Sequence, residues 1–236
     1  MNRLALSASI AALACSVAAS AGNSTPAIWG CTSDNGFYTP FSSNSLSTMR
    51  YGDSGWISGF GSDVYSISRV RLGLAIFGST YAGSTSISFT LNDGDPSGLV
   101  FGSGAQLWST TVDNVELVST GSGFVSYFDL VIDIPDIQTL GGYNNIGWSI
   151  GVSNFDSDGQ FGFQCSSTLA QYAGFYTNNA SYTNDGTNWG LFSFGSNPTF
   201  GVANLTASFY GEVVPAPGAL ALLGVAGLAS ARRRRA

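Results

Sequence analysis

The chain has 236 residues, 44% of them hydrophobic and only 9% charged, with eight basic residues, 14 acidic residues and no histidine. A typical soluble domain is about 25% charged. All eight basic residues are arginine, so nucleic-acid binding through a basic patch and catalysis by a His base or a Lys nucleophile are excluded.

At the N-terminus, Arg3 precedes an apolar run over residues 4–17 and the small-residue sequence Ala19-Ser20-Ala21. This order predicts a secretory signal peptide over residues 1–21, with Gly22 opening the mature chain. A buried domain helix fits Arg3 and the Ala/Ser run less well. Lipidation at Cys15 is disfavoured by Ala12, where such sites usually carry Leu.

Residues 22–212 hold all 14 acids but only Arg50, Arg69 and Arg71, a formal charge of −11. No apolar period of 3.6 is sustained there, whereas period 2 recurs and puts alternate side chains on one sheet face. Val70, Leu72, Leu74 and Ile76 form one such set, and Ile87, Phe89 and Leu91 another. Phe128, Leu130, Ile132 and Ile134 follow, then Ile146, Trp148, Ile150 and Val152. Phe161, Phe163 and Cys165, and finally Ala203, Leu205, Ala207 and Phe209, complete the series. Turn signals separate them at Asn92-Asp93-Gly94-Asp95-Pro96, Gly141-Gly142, Asp156-Ser157-Asp158-Gly159 and Asn184-Asp185-Gly186. The expectation is an all-β chain: one antiparallel β-sandwich or jelly-roll-like domain.

The mature chain would keep Cys31 and Cys165, and an even count in an oxidising compartment predicts a disulfide between them. Asn154, Asp156 and Asp158 begin like a calcium loop, but Cys165 stands where the closing Glu belongs, and a plain hairpin turn is the simpler reading. Asp129 and Asp133 could serve glycoside hydrolysis, yet along one strand they lie about 13 Å apart, which suits solvated outer-face charges better. No cofactor is expected, and the chain reads as non-enzymatic. Trp189, Tyr176 and Tyr182 are candidates for stacking on sugar rings, as a carbohydrate-binding module would require. Trp148, on an apolar face, reads as core.

The C-terminal segment, residues 213–236, has three parts. Val214-Pro215-Ala216-Pro217-Gly218 ends the polar body, residues 218–231 are uncharged, and Arg232, Arg233, Arg234 and Arg235 precede the last residue. A helix over residues 218–231 would reach about 21 Å, short of a roughly 30 Å hydrocarbon core unless flanking valines and snorkelling arginines extend it. Four consecutive arginines could not enter a protein core unpaired. The positive-inside rule would keep them in the cytoplasm and place the acidic body outside.

This tail resembles the PEP-CTERM sorting signal of exported bacterial proteins: a Pro-Glu-Pro-like motif, a short apolar helix and a terminal Arg cluster. Here the motif spans residues 214–220, with Ala216 where the family usually carries Glu. The resemblance covers residues 213–236 alone. It implies an exosortase-type processing enzyme as partner, transient anchoring in the membrane, and a final place on the cell surface or in a polysaccharide-rich extracellular matrix. A plain uncleaved membrane anchor is the competing reading of the same segment.

Overall fold

A computed structural model describes residues 25–31, 38–41, 48–57, 64–77, 82–99, 102–118, 125–139, 145–153, 160–166, 171–176, 180–191 and 203–214. Among these residues the secondary structure is strand without helix. The expected signal peptide (residues 1–21), the calcium-loop residues Asn154, Asp156 and Asp158, and the tail beyond Val214 lie outside them. Among the described residues no helix is long and apolar enough to cross a membrane.

The strands are β1 (Ala27–Cys31), β2 (Tyr38–Pro40), β3 (Arg50–Trp56), β4 (Val64–Phe77) and β5 (Ala82–Gly94). They continue as β6 (Gly102–Val118), β7 (Val125–Gln138), β8 (Asn145–Ser153), β9 (Gln160–Ser166) and β10 (Gln171–Ala173). The last are β11 (Phe175–Tyr176), β12 (Ser181–Thr183), β13 (Trp189–Leu191), β14 (Asn204–Leu205) and β15 (Ala207–Val214). All pairings are antiparallel, and they make two sheets. The first runs β10-β1-β15-β4-β9-β14, with β7 also on β4 and β2 also on β9. The second runs β13-β12-β3-β8-β5-β6, with β11 also on β3.

Strand β4 organises the first sheet. Its residues from Val64 to Leu72 pair with β15, and those from Leu74 to Phe77 pair with β9. The exchange of partner falls at Thr206, whose amide donates to the Gln164 carbonyl (2.9 Å) and whose carbonyl accepts from the Gly73 amide (2.8 Å). The alternating run Ala203 to Phe209 is therefore split into β14 and β15 rather than forming one strand.

Most of the period-2 positions bury as their spacing predicts; Phe128 and Leu130 do so only partly, and β8 is buried on both faces. Leu72, Leu74, Ile87, Phe89, Leu91, Trp148, Ile150, Phe161, Phe163 and Phe209 all have no exposed surface and belong to one apolar cluster drawn from both sheets. Trp148 of the second sheet meets Phe163 and Phe209 of the first, at centroid distances of 5.4 and 6.4 Å. Phe209 also contacts Phe89 (6.4 Å) and Trp29 (5.7 Å, edge-on). Trp148→Ala should therefore cost about 3–5 kcal/mol of stability, since it removes the largest side chain at this junction and leaves a cavity. Denaturant unfolding measures this, and a loss below about 1 kcal/mol would show that the junction does not hold the sheets.

One carboxylate enters this core. Asp53 of β3 shares the inward face with Tyr51 and is 1% exposed. Its Oδ1 accepts from the Ser54 amide (2.8 Å), and its Oδ2 accepts from the Leu205 amide of the other sheet (2.9 Å). Burial pushes the Asp53 carboxyl well above the ordinary carboxylate range; the two amides pull it down, and Asp95 pushes it up further. The folded chain thus holds the Asp53 proton more tightly than the unfolded chain does. Its contribution to stability is complete below the unfolded value of about 3.9 and is lost as pH rises through the raised folded value. Stability measured upward from about pH 4 should fall through this group. Asp53→Asn, which does not titrate, should flatten that slope; an unchanged slope in the variant would count against it.

The expected Cys31–Cys165 disulfide is not formed in this structure. Both cysteines are buried as thiols. The Cys31 sulfur faces the Ser166 hydroxyl at 2.6 Å, and the Cys165 sulfur is directed to the Phe163 carbonyl at 4.0 Å. Cys31 lies opposite Ala207 and Cys165 opposite Leu205, so the two cysteines bracket the strand break at Thr206.

Candidate ligand-binding face

With Tyr51, Phe89, Leu91, Trp148 and Ile150 turned into the core, alternation sends the intervening residues of the second sheet to its other side, where Ser54, Asn92, Ser149, Ser181 and Thr183 are themselves buried and Arg50, Ser88, Thr90 and Trp189 are half-buried. Register then sets them in rows. One row crosses six strands as Trp189, Thr183, Arg50, Gly151, Ser88 and Thr111. The next reads Leu191, Ser181, Gly52, Ser149, Thr90 and Ser109. A third brings Ser54, Gly147, Asn92 and Gln106 together. The face is thus lined by hydroxyls and glycines, contains no acidic residue in these rows, and carries one cation and one tryptophan.

Arg50 is the centre of this face. Its side chain reaches from β3 across β8 to β5. Nε and Nη2 donate to the Ser149 hydroxyl (3.3 and 3.1 Å), Nη1 to Ser88 (3.2 Å) and Nη2 to Thr90 (2.9 Å). Every partner is a neutral oxygen. Burial lowers the Arg50 guanidinium from its ordinary value, yet an arginine side chain remains charged at any physiological pH. The first sheet treats its arginines differently. Arg69 pairs with Asp133 at 2.9 Å and Arg71 with Asp129. These exposed pairs occupy the two acids considered for hydrolysis, and pairs of this kind contribute little to stability.

One end of the face is walled by the segment from Asp95 to Leu99, which folds back over β8 and β3. A Cβ at Gly147 would lie 1.6 Å from the Gly94 carbonyl oxygen, and one at Gly52 would lie 2.6 Å from the Pro96 ring. Only glycine lets this segment lie so low. Asp95 pins it, accepting from the Ser97 amide (3.0 Å) and from the Ser181 hydroxyl of β12 (3.3 Å). Beneath it, Asn92 donates to the Gly104 carbonyl (2.9 Å), while the side-chain oxygens of Asn92 and Asn145 are buried without a donor.

The other end carries Trp189, placed by the turn between β12 and β13. Asp185 Oδ1 accepts from the amides of Asn188 (2.7 Å) and Thr187 (2.9 Å) and from the hydroxyl of Thr183 (3.0 Å). These donors, the Asn188 amide first, hold the Asp185 carboxyl far below the ordinary carboxylate range. Of the three aromatic candidates, Trp189 is half-buried on the outer face. Tyr182 lies opposite Tyr51 and packs partly buried against the core. The Tyr176 backbone pairs with Gly55, and its side chain lies outside the described residues.

Sequence reasoning missed Arg50, Ser88, Thr90 and Ser149 as a group. The available signal was the polar half of each alternating run: Ser88 and Thr90 interleave with Ile87, Phe89 and Leu91, and Ser149 sits between Trp148 and Ile150. Among the described residues no three Cys, Asp or Glu side chains gather as metal ligands. Comparison with family models, curated proteins and solved structures finds no match for this chain.

Asp185→Ala should free the turn that carries Trp189. Amide exchange at Thr187 and Asn188 should then accelerate at neutral pH, where the carboxylate is ionised. Because the folded carboxyl resists protonation, the wild-type turn should loosen only as pH falls below about 3.9. Equal exchange rates in variant and wild type at neutral pH would refute the role.

Proposed function

We propose that this chain is a non-enzymatic exported protein of the bacterial cell surface or extracellular matrix, sorted through its C-terminal segment by an exosortase-type enzyme. The observation that carries this reading is the order of features at the chain end: Val214-Pro215-Ala216-Pro217-Gly218, then uncharged residues 218–231, then Arg232 to Arg235. The basic residues Arg3 and Arg232 to Arg235 flank an acidic body, which is the charge arrangement of an exported chain with both ends facing the cytoplasm before processing. The two antiparallel sheets would form a single β-sandwich ectodomain over residues 22–212, with jelly-roll-like character, its last strand β15 running on through Val214 against β4. The signal sequence would direct it across the membrane, and the short helix and arginines would hold the tail until cleavage near Pro215 to Pro217.

The outer face of the second sheet favours a second reading of the ectodomain, as a carbohydrate-binding module for matrix polysaccharide. Its half-buried hydroxyls at Ser88 and Thr90 and its Trp189 suit the polar edges and flat apolar faces of sugar rings.

Intact mass of the natural product recovered from the cell surface tests the sorting reading, because it fixes both termini at once. The expected product begins at Gly22 and has lost the residues beyond the Pro215–Pro217 motif. Replacing Arg232 to Arg235 with serine should leave the tail unprocessed or mis-sorted. Recovery from the cytosol with Met1 and Ala236 both present would overturn the proposal.

A further inference from the structure

We propose that the outer face of the second sheet binds an anionic group of a glycan, a carboxylate or a sulfate, at Arg50. This deepens the carbohydrate-binding reading and rests on it.

The described residues contain three cations, and two of them are neutralised by a carboxylate. Arg50 is the one that makes no ion pair. A guanidinium serving only to tie strands together would gain most from a carboxylate partner, as Arg69 and Arg71 show. Arg50 instead has a ring of hydroxyls, and their hydrogen bonding leaves donors in surplus. A hydroxyl that accepts from Arg50 still has its own hydrogen to place. Ser88 directs its hydrogen to the Gly151 carbonyl at 3.3 Å. Thr90 and Ser149 accept from Arg50 at 2.9 and 3.1 Å and have no acceptor among the described residues; Ser149 is buried, so the hydroxyl within reach of a ligand is that of half-buried Thr90. A guanidinium has five N–H bonds, and one on Nη1 is left over after Ser88. The cluster therefore offers hydroxyl and guanidinium hydrogens around one positive charge, with no negative oxygen to receive them. The missing complement is an oxyanion.

The surroundings select the carrier of that anion. Two carboxylates stand beside the rows, Asp185 bonded to Thr183 (3.0 Å) and Asp95 to Ser181 (3.3 Å), but neither pairs with Arg50. The chain as a whole carries a formal charge of −6, so diffuse attraction of a polyanion is unfavourable and binding depends on local contacts. Trp189 lies in the same row as Arg50, two strands away. The guanidinium reaches further, toward β5, so roughly 14 Å of sheet separates it from the Trp189 backbone at about 4.8 Å per strand. A ligand that uses both must be an oligomer with sugar rings at one end and an anionic group further along, rather than a free small anion.

The test is calorimetric titration of the purified full chain with four probes: polygalacturonate, its fully methyl-esterified form, dextran sulfate and dextran. The proposal expects binding of polygalacturonate or dextran sulfate, and at least tenfold weaker binding of the matching neutral polymer. The stronger of the two anionic probes identifies the group as carboxylate or sulfate. Arg50→Gln should lose about tenfold to a hundredfold of the anionic affinity, the equivalent of one charge-assisted hydrogen bond. Thr90→Ala, at a half-buried outer position, removes one donor with Arg50 in place. It should weaken the same probe several-fold, so the result does not depend on Arg50→Gln folding. Equal affinity for charged and neutral polymers, or anionic binding untouched by both variants, overturns the inference and leaves the glycan reading standing. Failure to bind any of the four overturns both.

Discussion

Alternation along the second sheet is the constraint on which the outer face depends. A strand exposes successive side chains to opposite sides, so shifting a register by one residue would exchange its two faces. Trp148 and Phe89 prevent this for β8 and β5, because neither ring can leave its place against Phe209 without emptying the core. Once those rings are seated inward, Ser149, Ser88 and Thr90 have no other side to occupy. Arg50 then follows from Tyr51, which is held inward by an edge-on contact with Phe41 (5.1 Å) and by a hydrogen bond from its hydroxyl to the Pro40 carbonyl (2.8 Å). The polar cluster outside is thus positioned by aromatic packing inside.

The same alternation explains why a carboxylate lies in the core. Asp53 stands two residues from Tyr51 and so must face inward. Across the core, β14 is two residues long and ends at the strand break, and the Leu205 amide turns toward the second sheet. The carboxylate accepts from that buried amide across the core. The cost is a charge held away from water, reflected in its raised proton affinity. A buried polar contact of this kind adds a direction to a core whose remaining contacts are aromatic and tolerant of sliding.

Much of the fold was legible in the sequence wherever alternation was unbroken. The runs around Leu74, Phe89, Ile132, Trp148, Phe163 and Phe209 all became strands with the expected side inward. What escaped had specific causes. β6 spans 17 residues, but its pairing with β5 shifts register at three places, so its apolar residues Leu107, Val112, Val115 and Leu117 keep no constant period. β3 reads Arg-Tyr-Gly-Asp-Ser-Gly-Trp, which looks like a turn, because its glycines admit Pro96 on one side and Trp29 with Phe175 on the other. The face centred on Arg50 escaped for a related reason. Alternation distinguishes polar from apolar positions, whereas the meeting of Arg50, Ser149, Ser88 and Thr90 depends on which strands are neighbours, and β3-β8-β5 is not the chain order.

The two sheets also differ in how they use scarce positive charge. On the first, Arg69 and Arg71 extend from β4 beside the acids of β7, and Asp133 and Asp129 cancel them in water. On the second, Arg50 stands in a central strand among residues that can accept its hydrogens but not its charge. A half-buried guanidinium is less well hydrated than an exposed one, so leaving it without a counterion is the more costly of the two arrangements. Acidic residues are not lacking, since 14 are available to eight basic ones, and a single Ser→Asp change on β5 or β8 could have supplied one. Among the described residues the uncompensated charge is therefore confined to that face, where its neighbours are hydroxyls.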